Sequence, residues 1–224
     1  MDDDIILSKN RIEALTDGIF AVVMTILVLD ISVPQISSSH SSVVGSTVAG
    51  TELLKRLFDL WPKILSFGIS FIILAIYWMA HHRQFHYIKH SNRGLIWINI
   101  IFLMATCLLP FSTSLLGEYM NQEITILVYG GNSIIMAFLL YIQWWYATTS
   151  RHGRLVDENL DPIIKTTSSR RLLFGIIVYL IAIGISFVYI QISIFLFAII
   201  IVPAFLPNKL MHRITFGKSQ EKIR

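Results

Sequence analysis

Four stretches of this chain are each apolar over about the length that a lipid bilayer demands, and a fifth is longer still. A hydrocarbon core of about 30 Å needs about 20 residues of helix. The stretches are 14–33, 60–80, 95–116, 124–147 and 172–206. In lipid no water satisfies a free backbone amide, so runs of this length form helices that close their own hydrogen bonds. The fold expected is therefore an all-α membrane protein. Composition agrees: 54% of the 224 residues are hydrophobic and 14% are charged, where soluble domains carry about 25% charged residues.

The fifth run holds 35 residues. As one helix it would be roughly 52 Å long, too long for one crossing. Gln191 and Ser193 interrupt its middle, which suggests two short spans, 172–190 and 191–206, and six transmembrane helices in a single domain covering 1–224. The basic residues support an even number. With six spans and both termini cytoplasmic, fifteen of the eighteen Lys and Arg fall inside, and Lys55, Arg56 and Lys63 fall outside. That is the positive-inside pattern. Five spans would carry the five basic residues of the tail to the other side. The localisation expected is multi-pass, in the cell membrane. Trp61, Trp78, Trp97, Trp144, Trp145 and Tyr146 lie near span ends, where interfacial aromatics belong.

Between the first two spans, 35–51 is rich in Ser, Gly and Thr and reads as an outer loop, with 52–59 a short helix before the second span. The opening Met1-Asp2-Asp3-Asp4 lacks the basic start of a secretory signal, so the first run is expected to stay as a span. The single cysteine, Cys107, excludes an intrachain disulfide and a cysteine metal cluster.

The first span is unusual in its polar entry. Arg11, Glu13, Thr16 and Asp17 crowd its start, and ionisable groups at membrane depth generally face protein or water. Arg11 and Asp17 are six apart, about 240° around a helix, so they do not pair on one face. Partners on another helix are expected, and His81 and His82 at the end of the second span are at a suitable depth. An interfacial anchor with no further role is the plainer alternative.

These residues carry a resemblance. The run Arg11, then Leu15-Thr16-Asp17-Gly18-Ile19-Phe20-Ala21 and Thr25 resembles the signature of the potassium channels related to the lysosomal transmembrane protein 175, in their prokaryotic branch. Leu15 and Thr16 stand where that signature usually has Phe and Ser. Tyr77-Trp78 with His81-His82, and Leu109-Pro110-Phe111-Ser112-Thr113, resemble the same family, so the likeness spans nearly the whole chain.

The resemblance implies a homotetramer of six-helix subunits with the pore lined by the first helix and no re-entrant filter loop. It implies a pore constriction at Val22, Ile26 and Leu29, with Thr25 tuning selectivity beside it. It implies a structural motif at the cytoplasmic end built from Arg11, Thr16, Asp17, Gly18, His81 and His82. The partners implied are potassium ions, membrane lipids and other copies of the chain. Residue spacing is compatible: positions 22, 26 and 29 share one helix face, and a narrow apolar ring can gate by dewetting. By spacing alone such a stripe is far more often ordinary helix packing; only the resemblance turns it toward a pore. Val22 is smaller than the residue usual there, so a wider, less selective ring is a further expectation.

Other chemistry finds no footing. Tyr129-Gly130-Gly131 sits inside the fourth span and reads as close helix packing, not as a carbonyl filter. Arg170-Arg171 is an adjacent pair and makes no voltage-sensor pattern. His82, His86 and His90 share a face, yet no carboxylate or cysteine joins them, so neither a metal nor another cofactor is expected. No nucleophile elbow, paired carboxylates or phosphate loop suggests an enzyme. The Lys/Arg clusters flank spans, which points to topology and anionic lipid and away from nucleic acid. Two other readings stay open: a proton-leak or weakly selective cation channel on this scaffold, and a secondary transporter.

Overall fold

The computed structural model describes residues 8–35, 46–149, 155–157 and 160–199. Its elements are α1 (Lys9–Leu29), α2 (Ser46–Asp59), α3 (Trp61–Tyr87), α4 (Arg93–Cys107), α5 (Leu109–Glu118), α6 (Glu123–Thr149), α7 (Pro162–Ser186) and α8 (Ile190–Ile199). Every named element is a helix. Five helical stretches are long and apolar enough to cross a membrane: α1, α3, α4 with α5 (Arg93–Glu118), α6 and α7. The chain is a multi-pass membrane protein. α8 is shorter; the end of the expected sixth span and the basic tail lie outside the described residues.

Local chemistry sets the helix ends. Asn92 caps α4, its side-chain oxygen accepting from the Leu95 amide at 2.9 Å. Asp161 caps α7 through the Ile163 amide at 2.8 Å, with Pro162 next in line. Both use a short polar side chain for an amide that the helix leaves free, and proline at the first helical position loses nothing. The long apolar run is broken at 187–189, a few residues before Gln191.

α4 and α5 divide at Leu108 because Pro110 has no amide hydrogen and clashes with the turn before it. A side chain from α6 repairs the break. With its amide oriented to satisfy both partners, Asn132 donates to the Ala105 carbonyl at 3.2 Å and accepts from the Leu109 amide at 3.3 Å.

α6 is the central post, packed by α3, α4 and α5 on one side and by α7 and α8 on the other. The main core joins Phe20, Leu27, Leu74, Phe102, Tyr129 and Phe197. Gly130 lets α7 come close: a Cβ there would sit 3.0 Å from Ile183. Gly117 does the same between α5 and α3, where a Cβ would meet Ser66 Oγ at 2.7 Å and the Lys63 backbone at 3.2 Å. A second small core (Ile12, Phe85, Ile88, Leu95, Ala147, Leu155) holds the opposite end of the bundle, where the Lys89 amide donates to the Leu155 carbonyl at 2.7 Å. Trp144 does not behave as an interfacial aromatic. It is fully buried, and its indole donates to the Lys165 carbonyl at 3.1 Å, fastening the start of α7.

Candidate functional site: the open face of the first helix

α1 has two faces with opposite fates. Ile12, Thr16, Phe20, Val23 and Leu27 are buried against α3, α4 and α5. The other face has no cover from the described residues of its own subunit. Val22 is 56% exposed, Ile26 43% and Leu29 76%, and Leu15, Gly18 and Thr25 are exposed beside them. The spacing of 15, 18, 22, 26 and 29 makes one continuous stripe, and from Val22 to Leu29 it covers about 10 Å of helix. Arg11, also exposed, stands at its polar end. Thr25 donates its hydroxyl to the Val22 carbonyl at 2.7 Å, so the oxygen keeps its lone pairs for whatever lies in front of it.

The buried side of α1 is held by a polar network. The Asn99 amide of α4 donates to Thr16 Oγ1 at 3.2 Å, and Thr16 donates to the Ile12 carbonyl at 3.0 Å. On its other side, Asn99 Oδ1 lies 2.8 Å from His81 Nε2 on α3. All three side chains are buried. His81 is sandwiched by rings, with centroids 4.3 Å from Phe85 and 5.8 Å from Phe102, and Phe102 in turn meets Phe20 at 6.0 Å. Asn99 therefore ties α1, α3 and α4 together where their backbones approach.

Asp17 points away from the open stripe and accepts from the Trp78 indole at 2.8 Å. His82 stacks on that indole, with centroids 5.7 Å apart. Among the described residues no ion pair joins Arg11 to Asp17. At the far end of α1, Asp30 accepts from Ser114 Oγ of α5 at 2.7 Å. The structure thus brings Thr16, His81 and the unforeseen Asn99 together, and Asp17, Trp78 and His82 into a second group. Gly18 and Arg11 remain on the outer surface of α1. Asn99 sits in an otherwise apolar run, and that isolation was the signal available in the sequence. Among the described residues no group of three or more His, Cys, Asp or Glu is placed to hold a metal.

Fold and site define a class: a helical membrane protein whose first helix is fixed along one face by buried polar bonds and left open along the other. The family model described as the endosomal/lysosomal potassium channel TMEM175 matches residues 11–110. A potassium channel of Chamaesiphon minutus is 33% identical over 187 residues, covering 82% of this chain and 87% of that protein. A potassium channel of Streptomyces collinus is 29% identical over 184 residues, 80% of this chain and 83% of that one. The human endosomal/lysosomal proton channel TMEM175 is 29% identical over 164 residues, 70% of this chain but 31% of the human protein. The crystal structure of a lysosomal potassium-selective channel TMEM175 homolog from Chamaesiphon minutus superposes with a TM-score of 0.72 at 30% identity, covering 88% of this chain and 95% of that one. The chain belongs to the TMEM175 family, and these relatives are ion channels and not enzymes.

Proposed function

We propose that this protein is a passive potassium-selective channel, a homotetramer of six-helix subunits in the cell membrane with both termini cytoplasmic. Its pore would be enclosed by the open faces of four copies of α1. The observation that carries this reading is the stripe itself: Val22, Ile26 and Leu29 have no cover among the subunit's described residues, while the opposite face of the same helix is buried. A single helix cannot surround an ion, so a pore on this face requires several copies. The Chamaesiphon and Streptomyces relatives, named as potassium channels, support the choice of ion.

In this reading Val22, Ile26 and Leu29 form stacked apolar constrictions that empty of water when narrow. An ion passes when the rings widen, and potassium gives up its hydration more readily than sodium. Thr25 tunes that step, because its hydroxyl oxygen faces the pore beside Val22. Thr16, His81 and the Asp17–Trp78 pair hold the cytoplasmic end of α1 and so fix the rotation of the stripe. Arg11 and Gly18 lie on the pore side of that end.

A second reading, proton conduction on the same scaffold, is favoured by one observation: the vertebrate relatives are named as proton channels. One experiment separates the two. Purified protein in a planar bilayer is placed between potassium and sodium solutions, then across a pH difference. A reversal potential following potassium, altered by Val22→Asn and Ile26→Asn, is expected. A potential following pH would select proton conduction. Saturable flux coupled to a second ion would mean transport, and currents indifferent to both substitutions would remove the pore from this face.

A further inference from the structure

Helix α2 leaves its apolar side exposed among the described residues. On the helix surface Leu53, Leu57, Leu54 and Phe58 fall on one arc of about 140°. Thr51, Glu52, Lys55, Arg56 and Asp59 fill the opposite arc. The only bond from this helix to the end of α1 found among the described residues comes from the polar arc. Arg56 is partly buried, bonds Glu52 at 2.9 Å and donates to the Gln35 carbonyl beyond α1 at 2.9 Å. The apolar arc is turned away: Leu54 is 58% exposed and Phe58 74%. Among the described residues nothing covers it, and a helix of 14 residues is marginal without a packed apolar face.

We infer that the apolar arc of α2 lies in the membrane boundary, with Leu54 and Phe58 inserted among the lipid acyl chains at the end of the bilayer where α3 begins. Continuity identifies lipid as the occupant. α2 runs into α3 with Leu60 alone between them, and the first exposed apolar side chains beyond it are Trp61 and Ile64, both on a membrane-crossing helix. Exposed apolar side chains that follow one another directly from a span onto its flanking helix lie next to the same lipid. Trp61 at the junction is the residue type that anchors at headgroup level. The charges of the opposite arc pair or face outward, as in a helix lying in the interface plane with its apolar face about 5–10 Å deep. The Glu52–Arg56 pair and the Arg56–Gln35 bond then keep the polar face engaged as the other face sinks. α2 would thereby fix the height of the loop that connects α1 to α3, independently of which ion the protein conducts.

Depth-dependent quenching tests this. In a Cys107→Ser background, Phe58→Cys and Lys55→Cys are each labelled with an environment-sensitive fluorophore. The full chain is reconstituted in vesicles of phosphatidylethanolamine and phosphatidylglycerol. Both positions are exposed in the subunit, so neither substitution disturbs the core. Lipids carrying a spin label high on the acyl chain should quench the label at 58 several-fold more than the label at 55, with aqueous iodide showing the reverse order. Iodide quenching of the label at 58 as strong as that at 55 would place the arc in water and overturn the inference. Protection of 58 from both quenchers would overturn it too, by placing a neighbouring copy of the chain on the arc.

Discussion

Replacing Asn99 by Leu tests whether α1 is held by buried hydrogen bonds or by packing alone. The side chain is 1% exposed, and its partners Thr16 and His81 are 0% and 2% exposed. Asn99→Leu preserves volume but leaves His81 Nε2 and a Thr16 lone pair facing apolar groups. A buried polar atom without a partner costs about 1–3 kcal/mol. Thr16 keeps its bond to the Ile12 carbonyl, so nearly the whole penalty falls on His81. Bonds between membrane helices measure about 0.6–2 kcal/mol, and the loss expected is about 2 kcal/mol. His81→Phe should cost a similar amount, since it orphans the Asn99 oxygen while keeping the ring stack on Phe85 and Phe102. The decisive variant carries both changes. It has no orphan at this bond, and replacing both partners with apolar groups can be nearly neutral. The double variant should therefore be at least as stable as either single variant. The assay is reversible unfolding in mixed detergent micelles, completed as a double-mutant cycle. Strict additivity of the two losses, or an unchanged Asn99→Leu variant, would refute the reasoning.

Four other sites give further expected outcomes. Gly117→Leu should destabilise by about 1–3 kcal/mol through overpacking, because the new side chain meets Ser66 and the Lys63 backbone; Gly131→Ala, with open space around it, is the near-neutral control in the same titration. Asn132→Leu should cost about 1–3 kcal/mol by stripping the partners from the Ala105 carbonyl and Leu109 amide at the Pro110 break, again read by unfolding midpoint. Trp144→Phe removes the bond to the Lys165 carbonyl and should lower stability by about 1–2 kcal/mol, with hydrogen exchange rising first at the start of α7. Trp78→Phe frees Asp17 at an exposed site, so channel currents should change more than the unfolding midpoint does; the reverse order would contradict a role in setting the rotation of α1.

The helices were legible because their cause is local. Length and apolarity act on each segment by itself, and the likeness of 11–25 to a channel family lies in consecutive residues. The partners were not legible. Asp17 was expected to find a histidine and found the indole of Trp78, one turn away on the same helix as His82. Trp144 and Trp145 are neighbours of one type, yet one is buried and the other 53% exposed. Nothing local distinguishes them; the side on which α7 docks does.

The amino-acid sequence by itself determined that this chain is a set of membrane-crossing helices and to which family it belongs. A bilayer imposes its length requirement and its ban on free backbone groups on each segment separately. Only the tertiary structure decided which face of α1 is spent on α3, α4 and α5 and which stays open. It also decided that α2 turns its apolar side outward. Helices that are apolar nearly all round carry little record of their own rotation. That rotation is set between helices, by a few bonds such as Asn99 to Thr16 and close approaches such as Gly117 to Ser66, whose two halves lie far apart in the chain.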